Sequence, residues 1–227
     1  MSTLAHAEPD VSAAAADEWG GGRFPYHVGH RKLGMWLFIV SDAMTFSAFL
    51  IGYSYLRAAS EQWPTPFKFS PSIVFSTVMT LFLLASSFTM VMAVGASARK
   101  DFKKARLWIL LTMLGGLTFL GLHIYEWLHL INDEGLRPFS LGPHLSERWP
   151  KAPPLFGAGF FTITGLHMFH VLTGVAYLGV IALRIRRVRH EDVEISGLYW
   201  HFVDLVWMFV FPLIYLMSVD ISGGEQH

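Results

Sequence analysis

Five runs of about 20 or more mostly apolar residues, divided by short polar breaks, decide what this chain can become. They cover roughly 33–56, 72–97, 106–130, 155–183 and 198–219. At 1.5 Å rise per residue, each run forms a helix long enough to cross a hydrocarbon core of about 30 Å. The charge content supports this reading over a rich soluble core. Only 15% of the residues are charged, while 53% are hydrophobic, and soluble domains carry about 25% charged residues. The expected fold is all-α: an integral membrane bundle of five transmembrane helices.

Prolines mark the breaks. Trp63-Pro-Thr-Pro precedes the second run and Trp149-Pro-Lys-Ala-Pro-Pro precedes the fourth. A residue before proline disfavours helix, so these are true interruptions. No long repeat divides the chain, which reads as one domain. Residues 1–32 form a polar tail, 33–219 the transmembrane domain and 220–227 a short C-terminal tail. The N-terminal tail holds Glu8, Asp10, Asp17 and Glu18 without an apolar stretch, so it is not read as a signal peptide. Trp19, Phe24 and Tyr26 are expected to lie along the membrane surface. The largest excursion is the loop at about 131–154.

Orientation follows from the basic residues. One side collects Arg23, Arg31, Lys32, Arg99, Lys100, Lys103, Lys104, Arg106, Arg184, Arg186, Arg187 and Arg189; the other holds only Arg57, Lys68, Arg137, Arg148 and Lys151. The N-terminus is therefore expected inside and the C-terminus outside. Trp36, Trp63, Trp108, Trp127, Trp149 and Trp200 fall near span ends, where amphipathic rings favour the headgroups. The formal net charge is zero, which leaves no electrostatic case for nucleic acid. There is no cysteine, which excludes disulfides, thiolate zinc sites, iron–sulfur clusters and thiolate copper centres. In the second span Ala85, Thr89, Ala93 and Ser97 recur every fourth residue, a ridge along which another helix can approach closely.

Ionisable groups at membrane depth cost roughly 2.5–3.5 kcal/mol each on insertion scales, so each needs a reason. Asp42 lies within the first span, with Ser41 and Thr45 as expected hydrogen-bond partners. It reads either as a proton-exchanging carboxyl or as a packing residue. His123 and Glu126 are three apart and share a helix face, so Glu126 is expected to hold His123 near the outer interface. His167 and His170 have the i, i+3 spacing that places two imidazoles on one side. With His123 and His201 they make four intramembrane histidines, open to two readings: ligation of a haem or metal, or hydrogen bonding between helices. His201 and Asp204 share a face near the inner surface, paired with each other or with Arg184. Arg184, Arg186, Arg187 and Arg189 form a basic cluster suited to anionic lipid heads and to fixing topology. Pro212 is expected to bend the last span.

Four segments, in order, resemble the cytochrome c oxidase subunit III family. Tyr199-Trp-His-Phe-Val-Asp-Leu-Val-Trp-Met-Phe-Val-Phe is similar to its last-helix signature. Thr164-Gly-Leu-His-Met-Phe-His-Val, Leu33-Gly-Met-Trp-Leu-Phe-Ile-Val-Ser-Asp and His123-Ile-Tyr-Glu-Trp look like three further family patterns. Arg184 and Glu194 fall where the family carries an arginine after the fourth span and a glutamate before the last. At position 42 the family usually has glutamate and this chain has aspartate. The family's long form has seven spans, with a lipid cleft between the first two and the rest; this chain has five, and another subunit is expected to supply the missing pair.

The resemblance implies an accessory, redox-silent subunit of a haem-copper terminal oxidase in aerobic respiration. The chain itself would bind no haem or copper, which would sit in partner subunits I and II. It would hold structural phospholipids and support proton uptake by the catalytic subunit within a proton-translocating cytochrome c oxidase. That complex would lie in a bacterial-type inner membrane, with a respiratory supercomplex as a further possible partner. A quinol oxidase or a nitric-oxide-reductase-associated relative is the close alternative. A small independent transporter or a haem-binding cytochrome is the alternative of a different class.

Overall fold

The computed structural model describes residues 29–68, 72–133, 135–138, 140–153 and 155–220. Nearly all of the N-terminal tail, with Arg23 and its aromatic residues, and most of the C-terminal tail lie outside these. Among the described residues five helices are long and apolar enough to cross a membrane. They are α1 (His30–Ala59), α2 (Val74–Ala98), α3 (Phe102–Asn132), α5 (Leu155–Leu183) and α6 (His190–Val210); α4 (Pro143–Arg148) is a single short turn in a loop. Of the chain's eleven prolines only Pro212 falls inside a span, so the other helices run unbroken. Pro212 cannot donate to the helix ladder, and there α6 passes into a π-helical segment, Phe211–Tyr215, in which the Leu216 N–H reaches back to the Phe211 carbonyl.

Helices α2, α3, α5 and α6 form a closed ring, each packed on its neighbours, and α1 lies outside on the seam between α5 and α6. Lipid tails are as apolar as leucine, so close packing and interhelical hydrogen bonds hold such a bundle together. The α2–α3 contact is the most extensive in the fold. Its closest approach uses Gly115, where an added Cβ would meet Ser86 Cβ at 2.6 Å, and a Thr89–Thr112 hydroxyl bond of 2.8 Å. The ridge read from the sequence is partly corrected: Ala93 and Ser97 are buried in the bundle, whereas Ala85 is exposed. The true contact face runs one position over, through Ser86.

Arg31 and Lys32, the α2–α3 turn and Arg184–Arg187 gather at one end of the bundle, called here the basic end. There Arg31 pairs with Asp192 at 2.9 Å, Lys32 with Glu194 at 3.4 Å and His190 with Glu194 at 3.2 Å. These acids explain why α6 starts at His190 rather than at the apolar boundary near Leu198: Glu191 and Asp192 sit in its first turn, where carboxylates favour the positive end of the helix dipole. At the opposite end Trp63 packs edge-on against Tyr53 at 5.2 Å and Phe156 at 5.4 Å. Phe67 lies on Tyr215 at 4.9 Å, and its strand Phe67–Lys68 pairs in parallel with Val219–Asp220.

The α2–α3 turn closes with two bonds, Asp101 N–H to the Ala96 carbonyl at 3.0 Å and Lys100 N–H to the Ser97 carbonyl at 2.9 Å. This is the Schellman pattern, which favours glycine at the left-handed position, yet Lys100 occupies it with φ 58°. Lys100→Gly is expected to stabilise the bundle by about 0.5–1 kcal/mol, read as a higher midpoint in detergent unfolding. Asp101 then caps α3 by accepting from the Lys104 N–H at 3.1 Å. That bond, aided by the Lys104 and Arg99 charges, holds its carboxyl below the usual range.

Candidate functional site

The polar residues singled out by the sequence separate into four places. The first joins α1 to α5. Asp42 Oδ1 lies 3.3 Å from His170 Nε2, and His170 Nδ1 lies 2.8 Å from the Leu166 carbonyl. A carbonyl only accepts, so Nδ1 carries a hydrogen. One further proton can then be shared between Nε2 and the carboxyl. Whether it sits on nitrogen or on oxygen, the pair is neutral overall, which is how two ionisable groups tolerate this depth. Asp42 Oδ2 has no hydrogen-bond partner among the described residues. The expected partners are corrected: the Ser41 hydroxyl bonds back to the Phe38 carbonyl at 2.8 Å and Thr45 to the Ser41 carbonyl at 3.1 Å. Such back-bonding is the usual use of these residues inside a helix.

The second place is the centre of the ring. His123 and His167 are fully buried and both pack on Trp207, at 5.4 and 4.9 Å between ring centroids. Phe119 closes the cluster, 4.8 Å from Trp207. Neither imidazole has a hydrogen-bond partner among the described residues. His167 and His170 thus share a spacing but not a site, since one faces the core and the other faces α1.

The third place corrects the His123–Glu126 pairing. His123 Nδ1 is 4.0 Å from Glu126 Oε2, too far for a hydrogen bond. Glu126 is held instead by two hydroxyls, Ser76 Oγ at 2.6 Å and Tyr215 Oη at 2.8 Å. Both come from helices other than its own, and i, i+3 spacing gives no sign of either.

The fourth place is on α6. His201 Nδ1 is 2.7 Å from Ser87 Oγ, and Asp204 lies beside the same serine with its Oδ1 lacking a hydrogen-bond partner among the described residues. His201 and Asp204 are not paired directly, and Arg184 is not their partner. Because α6 starts at His190, Asp204 is about 21 Å along it, and Asp42 is about 18 Å along α1, well inside each helix rather than at its end. Among the described residues no three histidine, aspartate or glutamate side chains converge as a metal-ligand group.

At the basic end a cavity of about 600 Å³ opens between the start of α3 and the end of α5. Lys103, Arg106, Arg184, Arg186 and Arg187 line it with Phe102, Leu183 and Ile185, and no acid does. The sequence reading named the three arginines of the α5 end. It missed Lys103 and Arg106 as members of the same site, because only packing brings α3 to that position. Arg189 belongs elsewhere, at the start of α6, where its N–H donates to Asp192 at 3.0 Å.

The family model for cytochrome c oxidase subunit III matches residues 20–219. Cytochrome c oxidase subunit 3 of Alkalihalophilus pseudofirmus is 33% identical over 84% of this chain and 88% of its own length. The protein of that name from Thermostichus vulcanus is 31% identical over 85% and 90%. Quinol oxidase subunit 3 of Bacillus subtilis is 31% identical over 82% and 87%.

Proposed function

The chain belongs to the cytochrome c oxidase subunit III family, and from that premise we propose how it serves the complex. It is subunit III of a haem-copper oxidase, a multi-pass membrane protein that works with other oxidase subunits. The match along residues 20–219 carries this reading. The partners proposed are the catalytic subunit I and subunit II, in a bacterial plasma membrane with the N-terminus on the cytoplasmic side. The haems and copper belong to those partners, and this chain contributes structure, lipid and proton handling.

Two features support that division of labour. The basic cavity offers five cations to an anionic headgroup at the membrane surface, with apolar side chains beside them for the acyl chains. Removing one basic residue near a membrane surface costs about 1 kcal/mol, so Arg184→Ala is expected to weaken retention of an anionic phospholipid about fivefold. Native mass spectrometry of the purified complex measures this, and undiminished retention counts against the assignment. The Asp42–His170 pair is the second feature, because it holds a shared proton inside the membrane without net charge. Asp42→Asn leaves the volume unchanged but removes the shared proton. The complex is expected to assemble normally, to lose activity faster during turnover and to show an altered pH profile; an unchanged inactivation rate and profile would mark Asp42 as a packing residue only.

The electron donor has two readings, since relatives named for cytochrome c oxidase and for quinol oxidase are similar at nearly the same level. Co-purification tests both. A neighbouring subunit II with a copper-binding domain supports cytochrome c, and one without it supports quinol.

A further inference from the structure

We propose that Glu126 is the base of a binding site for an organic ammonium group, at the end of the bundle opposite the basic cavity. A pocket of about 220 Å³ opens between the start of α2 and the last turns of α3, and Glu126 lines it together with Phe67, Phe75, Tyr125 and His129. Phe75 and Tyr125 stand 5.8 Å apart, tilted at 52°. Tyr125 is 64% exposed, so the mouth opens on the outside of the bundle. A carboxylate behind aromatic walls is the arrangement that recognises organic ammonium ions, through charge at the base and ring faces at the sides.

The hydrogen bonding around Glu126 suits such a ligand. Neither Lys nor Arg pairs with it among the described residues, and its oxygens meet only Ser76 and Tyr215. Ser76 has one hydrogen and two acceptors in reach, Glu126 Oε1 at 2.6 Å and the Ser72 carbonyl at 3.0 Å. With an empty site Glu126 can carry a proton and donate it to Ser76, which then donates to Ser72. When a cation arrives, the Glu126 proton leaves to water at the pocket mouth and Ser76 turns to donate to the carboxylate. The neighbouring His129 pairs with Asp133 at the rim.

Depth points to the source of the ammonium. Glu126 lies six residues before the end of α3, about 9 Å in from the helix end. In a helix of 31 residues, about 46 Å long, that is near the edge of a hydrocarbon core of about 30 Å, within reach of a headgroup. The amine of a phosphatidylethanolamine head and a free small amine present the same group, and the site is independent of the anionic-lipid cavity proposed above.

The test uses the full chain within its purified complex, exposed to mixed phosphatidylethanolamine and phosphatidylglycerol and read by native mass spectrometry. Wild type is expected to retain phosphatidylethanolamine preferentially. Glu126→Gln keeps an acceptor for the hydroxyls and should lower that preference about tenfold. Tyr125→Leu, at an exposed position that does not endanger folding, should lower it about threefold. Arg184→Ala should raise it, by weakening retention of phosphatidylglycerol alone. Displacement of the lipid by millimolar ethanolamine would identify a soluble amine as an equal ligand, and resistance to it would identify the lipid head. Equal retention of the two lipids by wild type, or no effect of both Glu126→Gln and Tyr125→Leu, overturns the proposal.

Discussion

Trp207→Ala is expected to destabilise the bundle by about 3–5 kcal/mol, the cost of truncating a fully buried indole. Trp207 is the hub of the ring. It touches Phe119, His123, His167, Phe211 and Tyr215, and its indole N–H donates to Thr80 at 2.9 Å. Its loss leaves a cavity beside two imidazoles that have no other polar company among the described residues, and nothing nearby is small enough to close the gap. Trp207→Phe retains most of the contact and loses the hydrogen bond, so about 1–2 kcal/mol is expected. Detergent unfolding followed by far-ultraviolet circular dichroism measures both. An Ala variant with an unchanged midpoint would mean that the ring core is not where the helices draw their stability.

Gly115→Val should cost about 3 kcal/mol or more by forcing α2 and α3 apart. The first added carbon already meets Ser86 Cβ at 2.6 Å and the Phe82 carbonyl at 3.3 Å. Both belong to the backbone or its immediate root, so no flexible side chain can swing away. Gly121 on the same helix is the control, since a Cβ there meets nothing within 4 Å. Gly121→Val should change stability by only a few tenths of a kcal/mol. The same unfolding assay compares the pair, and equal effects at the two positions would contradict the close approach.

The architecture was legible in the sequence because hydrophobic length is a local property. Five apolar runs gave five helices, and proline placed the breaks between them. What misled was each inference from residues close in sequence to residues close in space. His123 and Glu126 share a face, yet Glu126 is met by Ser76 and Tyr215 from other helices. His167 and His170 share a spacing, yet one packs on Trp207 in the core and the other meets Asp42 of α1. The pairing proposed for Asp204 failed for a related reason: the polar start of α6 is helical, which lifts Asp204 away from the surface arginines and sets it beside Ser87. Hydropathy sees apolar length but not the acidic first turn that extends a helix beyond it. Partners across helices depend on packing, and one chain without its relatives carries no signal for them.

The position of α1 has a consequence for how the protein is made. Only Phe46 and Tyr53 of α1 are buried, and its anchors are His170 on α5 and Asp192 and Glu194 on α6. Synthesis delivers α1 to the bilayer first and α6 last of the five. Until α5 arrives Asp42 waits in lipid without its histidine, and until α6 arrives the opening segment lacks the rest of its docking surface. The first of the five to be inserted is the last to be fully seated, and any chaperone or insertase that attends this chain must shelter that one acid until α5 is in place.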